Sequence, residues 1–245
     1  MKYGNRPQYS NQPKSWYQRW WGILILIFIT IVLIVASAFF FSVLDYFFKY
    51  KSGEINYQNL NQQKQQAQED FLDSAQAPYL GNPDANIIIV EFADFKCPYC
   101  QQSVPVIKSL IQQYPKEIKI VFRNLPIFSE ESLQAANAAA CAQEQSNLAF
   151  WAMHDELFNN QDNLNKEKFQ KIAENLGFEI NRFNNCLNSN KYYGKIQKDM
   201  EEAQKAGANQ TPTFFINGHK VEGHQSLQNW QAVLDQTIKM INSQK

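Results

Sequence analysis

The spacing of apolar and polar positions divides the chain into segments of different character. From Trp20 to Leu44 there are 25 consecutive residues without a charge, centred on the run Ile23 to Val35. At about 1.5 Å per helical residue this stretch exceeds the roughly 30 Å hydrocarbon core of a bilayer. Trp16, Tyr17, Trp20 and Trp21 lead into it and Tyr46 and Phe47 follow, as expected of rings at the headgroup level. Residues 20–44 are therefore read as a transmembrane helix. Ala36-Ser37-Ala38 has the small residues of a cleavage site, but the apolar run continues through Phe39-Phe40-Phe41 to Phe48, which favours an uncleaved signal-anchor. Next, residues 54–76 hold ten Gln or Asn and little that forms a core, so residues 45–76 are read as a polar tether.

Past Gly81-Asn82-Pro83-Asp84, which with Ala77-Pro78-Tyr79 reads as turns, the pattern becomes that of a folded domain over residues 77–245. Residues 87–92 form an apolar, β-branched run suited to a buried strand, residues 98–113 place Val104, Ile107, Leu110 and Ile111 at helical spacing, and residues 118–122 form a second strand. Strand, helix and strand in that order predict a parallel pair with a right-handed crossover. Pro105, inside the helix, is expected to kink it. From about 129 to 207 the spacing is helical throughout. It predicts helices near 129–141, 148–158, 166–176, 183–187 and 192–205. Thr213 to Ile216, the turn Asn217-Gly218, and Lys220 to Glu222 then read as a β-hairpin, and a helix over 227–241 closes the chain. The sum is a small α/β sheet with an all-helical block set into its middle.

Composition changes this picture little. The 23 Lys and Arg balance 23 Asp and Glu, which argues against nucleic acid or another partner held by bulk charge. Four cysteines are too few for a disulfide-framework miniprotein, so a conventional core carries the fold. The mean hydropathy of −0.45 hides the apolar span. Lys2, Arg6, Lys14 and Arg19 precede that span without an acid among residues 1–19, whereas Asp45 and Glu54 dilute the cations that follow. This bias places the tail, residues 1–19, in the cytoplasm and the domain outside it.

Candidate chemistry lies at Cys97-Pro98-Tyr99-Cys100, where the first strand ends and a helix begins. A sulfur at a helix N-terminus faces unpaired backbone N–H groups and the positive end of the helix dipole, both of which favour thiolate over thiol. Pro98 suits the first helical position, where its missing N–H is no loss. Cys100, about one turn deeper, can close a ring with Cys97. The spacing assigns attack to Cys97 and resolution to Cys100. A zinc site would need a second ligand pair. Cys141 and Cys186 lie 45 residues apart, and His154, His219 and His224 have no ligand spacing.

The run Val90 to Cys100, the helical block, and Gln210-Thr-Pro-Thr-Phe-Phe-Ile-Asn-Gly218 together resemble the DsbA-like thiol–disulfide oxidoreductases of the thioredoxin superfamily, over about residues 77–243. The resemblance implies a thioredoxin fold with an inserted all-helical domain, here preceded by one N-terminal transmembrane helix. It implies that Thr211-Pro212 is a cis-proline loop facing the active site and offering backbone to a substrate peptide. It also matches Glu91 to an acid beneath the active site that helps move the proton of Cys100. Pro98 and Tyr99 are implied to tune the redox potential.

Cys141 and Cys186 both fall on apolar faces and fit either two buried thiols or a structural disulfide in the helical block. The rings of Phe150, Trp151, Phe158 and Phe169 read as core of that block, and the histidines as surface or packing residues. The expected function is a membrane-anchored, extracytoplasmic thiol–disulfide oxidoreductase acting on cysteine-containing exported proteins, as an oxidase. Its redox centre is the Cys97–Cys100 pair, with no metal or organic cofactor suggested. The resemblance implies a membrane re-oxidase of the DsbB or VKOR type as partner. Reductase or isomerase action at the same site, or a non-catalytic adaptor or chaperone, are the alternatives.

Overall fold

The computed structural model describes residues 20–51 and 77–243. The proposed tail, residues 1–19, and residues 52–76 of the expected tether lie outside the described residues. Helix α1 is Trp20–Lys51, so it runs seven residues beyond the expected end of the span. Nothing from Asp45 to Lys51 breaks a helix; the first such residue is Gly53. Within it, Leu24–Leu44 is long and apolar enough to cross a membrane, and none of that segment is buried in the molecule.

The second unit is described by itself. Among its described residues, strands β1 (Tyr79–Gly81), β2 (Ile87–Ala93), β3 (Ile118–Asn124), β4 (Thr213–Ile216) and β5 (His219–Glu222) form one sheet in the order β1-β3-β2-β4-β5. The β2–β3 pair is parallel and the other pairs are antiparallel. Helix α2 (Pro98–Gln113) makes the crossover between β2 and β3 and continues through Pro105. Strand β1 corrects the sequence reading, which assigned its residues to turns. It is three residues long, and Gly81, at φ +87°, lets the backbone close on β3, where a Cβ would meet the Ile118 carbonyl oxygen at 2.4 Å. Asn217 and Gly218 have φ of 44° and 83°, the two positive values that a tight hairpin turn between β4 and β5 requires.

Alternation along the strands builds two cores. Ile87, Ile89, Ile118, Ile120, Phe214 and Ile216 pack against Ile107 and Leu110 of α2 and against Trp230 and Leu234 of α8 (Leu227–Ser243). Val90, Phe92, Val121 and Phe215 point to the other face and meet Ala203, near the end of α7 (Tyr193–Ala206). Between β3 and β4 lies the helical block: α3 (Glu130–Gln143), α4 (Asn147–Asn159), a 3₁₀ turn (Gln161–Asn163), α5 (Lys166–Asn175), α6 (Ile180–Asn188) and α7. Ser129, Ser146 and Asn165 cap α3, α4 and α5 by accepting from the backbone N–H three residues on. Phe150, Trp151, Phe158 and Phe169 are buried in this block. Cys141 of α3 and Cys186 of α6 are joined by a disulfide, closing a loop of 45 residues.

One buried ionic cluster ties block to sheet. Arg123 of β3, 2% exposed, reaches Asp199 of α7 at 2.9 and 3.0 Å and also pairs with Glu202. Asp199 also accepts from the backbone N–H of Asn124 at 3.1 Å, so its carboxylate is held by several donors, as a buried charge requires. Helix α7 is thereby fixed against β3, and the chain that follows it leads into Thr211 and Pro212.

Candidate active site

Cys97 is the N-cap of α2, with extended backbone angles (φ −78°, ψ 120°), and Pro98 is the first helical residue. Its carbonyl accepts the opening helical bond from Gln101 N–H at 3.2 Å, and its own N–H donates to the Asp94 carbonyl at 3.0 Å. Buried positions Cys100, Ser103, Ile107 and Leu110 follow along one helical face, so Cys100 is turned toward the sheet. Pro98 and Tyr99 face outward, Tyr99 being 60% exposed.

From the opposite side comes the segment before β4, where the Thr211–Pro212 peptide bond is cis. The thiol of Cys97 donates to the Thr211 carbonyl at 3.2 Å. On the sheet beneath, the period-two alternation puts Glu91 on the same face as Ile87 and Ile89, the face that α2 covers. Its neighbours across the strands are Phe122 and Phe214, and it is 4% exposed. Glu91, Cys97, Cys100 and Thr211-Pro212, separated by up to 121 positions in the chain, thus converge on one place.

The surroundings drive these groups to different protonation states. Cys97 is lowered from 9.0 to about 6, first by a hydrogen bond from the Cys100 thiol, then, against the cost of burial, by the Thr211 side-chain hydroxyl and the backbone N–H groups of Cys100 and Tyr99. Burial pushes the Cys100 thiol well above its ordinary value, and its bond to Cys97 and the charge there push it further. Glu91 is raised to about 8 by burial and, secondarily, by the Cys97 charge. At neutral pH these shifts leave the negative charge of the trio on Cys97. Glu91 and Cys100 keep their protons.

Two neighbouring residues escape a reading of the sequence. Asp94, 1% exposed, accepts from the N–H groups of Lys96 (2.7 Å), Ile127 (2.7 Å) and Phe128 (2.9 Å), joining the active-site turn to the loop after β3. The bond to Lys96, two residues on, is the local signal of an Asx turn. Ile127 and Phe128, tied to the active-site turn through Asp94, stand 46% and 55% exposed. Gln161, in the 3₁₀ turn of the helical block, donates to the carbonyls of Phe95 (2.8 Å) and Cys97 (2.9 Å). Elsewhere, His154 is buried among Phe95, Phe122, Trp151 and Phe158, where desolvation lowers its pKa, and it has no place at the site. Among the described residues, no group of three or more His, Cys, Asp or Glu is placed to hold a metal ion.

Comparison with known proteins gives one answer. Residues 73–236 match the family described as thioredoxin. A relative named probable disulfide bond formation protein D, from Bacillus anthracis, is 31% identical over 183 residues, which cover 68% of this chain and 81% of that one. The Na(+)/H(+) antiporter NhaA 3 of Salinispora tropica is 37% identical over 145 residues, 58% of this chain; the match spans only 22% of the antiporter's length. Among solved structures, the thiol-disulfide exchange protein alpha-DsbA2 from Wolbachia pipientis superposes with a TM-score of 0.66 at 25% identity, covering 73% of this chain and 96% of that one.

Proposed function

The chain belongs to the thioredoxin family, among its DsbA-like thiol–disulfide oxidoreductases, and from that premise we propose that it exchanges disulfides with client proteins through Cys97 and Cys100, as an oxidase. The observation that carries this reading is geometric: Cys97 stands at the N-terminus of α2 with Cys100 one turn behind it, and the cis Thr211–Pro212 bond faces the Cys97 sulfur.

In the oxidised state a client thiolate attacks the Cys97 sulfur. The Cys97–Cys100 bond breaks, its electron pair goes to Cys100, and a mixed disulfide joins client and Cys97. Cys100, strongly basic in its buried setting, takes the proton of Glu91. The client's second thiolate then attacks the client sulfur of the mixed disulfide. Cys97 leaves as a thiolate, stabilised by the N–H groups of Tyr99 and Cys100. Two electrons pass from the client's two thiols to the Cys97–Cys100 pair, and the client departs with a disulfide.

Stabilising the leaving thiolate supports the oxidase direction. A pKa lowered from 9.0 to about 6 favours the dithiol enzyme over the disulfide at pH 7. Thr211-Pro212 offers backbone to an extended client segment. The exposed apolar side chains of Tyr99, Ile127 and Phe128 suit clients whose own apolar residues are not yet buried. The apolar segment Leu24–Leu44 supports a membrane anchor, and the Cys141–Cys186 disulfide agrees with a domain in an oxidising compartment outside the cytoplasm. A membrane re-oxidase that restores the Cys97–Cys100 disulfide is part of this proposal.

Peptide oxidation tests the reading. Wild type is expected to oxidise a dithiol peptide, Cys97→Ser to be inactive, and Cys100→Ser to accumulate the mixed disulfide at Cys97. A potential near about −120 mV supports the oxidase, and one near about −270 mV assigns the site to a reductase. Oxidation that survives in Cys97→Ser overturns the assignment.

A further inference from the structure

Cys97 stands at the N-cap, where Ser, Thr, Asp and Asn ordinarily bond the helix backbone through a side-chain oxygen. Its sulfur is a weaker partner for the N–H groups of Tyr99 and Cys100, and Asp94 fastens the turn from its own side. A second set of bonds reaches the turn from outside it.

Those outer bonds belong to the helical block. Both hydrogens of the Gln161 side-chain amide are used, one on the Phe95 carbonyl at 2.8 Å and one on the Cys97 carbonyl at 2.9 Å. In return the Lys96 ammonium, between those two residues, donates to the Gln161 backbone carbonyl at 2.9 Å. One step further into α2, the Gln101 side chain donates to the Phe158 carbonyl at 2.6 Å. Residues 95–101 and 158–161 are thus laced together by four hydrogen bonds. Gln161 is 9% exposed, so water does not readily replace its amide on those carbonyls.

Resting on the reading of Cys97 as the exchanging sulfur, we infer that Gln161 is a positioning residue for Cys97, through which the helical block sets the nucleophile's geometry and reactivity. The amide restrains the backbone on both sides of Lys96, and with it the direction of the Cys97 side chain. It also turns the positive end of its dipole toward the N-cap carbonyl, whose negative end would otherwise oppose a thiolate on the same residue. The helical block acts as part of the redox centre, and its contribution is separable from its contribution to folding.

Gln161→Met keeps the length of the side chain and removes both donors. Gln161→Glu keeps the shape and sets carboxylate oxygens against carbonyl oxygens. Thiolate absorbance and equilibration with glutathione, measured on the full chain, read the effect. The Cys97 titration is expected to move upward by about half to one pH unit in Gln161→Met, and further in Gln161→Glu. The glutathione equilibrium shifts about 3- to 10-fold toward the enzyme disulfide, the scale of one hydrogen bond. Ser146→Ala, which removes the N-terminal cap of α4, at the end of that helix opposite Phe158, supplies the comparison: it lowers the unfolding midpoint and leaves titration and equilibrium unchanged. Gln161→Asn, too short to span both carbonyls, carries the expectation of Gln161→Met should the latter not fold. Gln161 variants that titrate and equilibrate like wild type, or an equal shift in Ser146→Ala, overturn the inference while leaving Cys97 as the nucleophile. A wild type that neither ionises nor exchanges removes the functional reading itself.

Discussion

Replacing Glu91 by Gln takes a titrating group from beneath the active-site helix while keeping its shape. The carboxyl is 4% exposed, between Phe122 and Phe214, and its pKa is raised from 4.5 to about 8. In the unfolded chain it ionises near the ordinary value. Between about pH 4.5 and 8, then, the native protein keeps a proton that the unfolded chain has released, and wild-type stability falls as pH rises. At about 1.4 kcal/mol per pH unit the full window comes to about 5 kcal/mol, with about 3 kcal/mol lost by pH 7. The Glu91→Gln variant, with nothing to ionise at that position, has no such loss. Guanidinium unfolding of wild type and Glu91→Gln, both with the Cys97–Cys100 disulfide formed so that neither sulfur titrates, is expected to give curves that converge near pH 4.5. They should separate by several kcal/mol above pH 8, the variant being the more stable. Burial, the larger cause of the raised value, persists in the disulfide form; only the Cys97 charge is absent. A stability difference that stays constant across the range would refute the placement of Glu91 as a buried, protonated acid.

Two other substitutions test the frame around the site. Asp199→Ala removes one of the two carboxylates that hold Arg123, leaving Glu202, and takes the acceptor from the buried Asn124 N–H; a loss of about 1–3 kcal/mol is expected, read as a lower unfolding midpoint. A loss below about 1 kcal/mol would show that Arg123 finds another partner or water. Replacing both Cys141 and Cys186 by Ala opens a 45-residue loop and should cost up to roughly 4 kcal/mol in the chain-entropy account, while peptide oxidation at Cys97 continues. Loss of oxidation in a folded double variant would give that disulfide a part in the chemistry.

Much of the fold is readable along the chain because its signals are local. The β-branched runs before Cys97 and after Pro115, the serine caps at 129 and 146, and Asn217-Gly218 each declare their element within a few residues. The Cys97–Cys100 pair is readable for the same reason, since a cap, a proline at the first helical position and a sulfur one turn on share a single turn. Strand β1 is not. It is three residues among Pro and Gly, and it becomes a strand only because β3 offers an edge. Gln161 is hidden more deeply. Asn159, Asn160 and Asp162 around it look equally polar, and its role arises from a turn 64 residues earlier that folding brings alongside. Asp94 stands in between: its Asx bond is local, but its grip on Ile127 and Phe128 is tertiary.

The most direct measurement is the absorbance of the thiolate near 240 nm as the reduced protein is titrated, with Cys97→Ser as reference. A single ionisation centred near pH 6, absent from Cys97→Ser, is the predicted result. An ionisation at or above about pH 8.5, the value of a free cysteine, would contradict the claim that the helix N-terminus and Cys100 hold Cys97 as a thiolate.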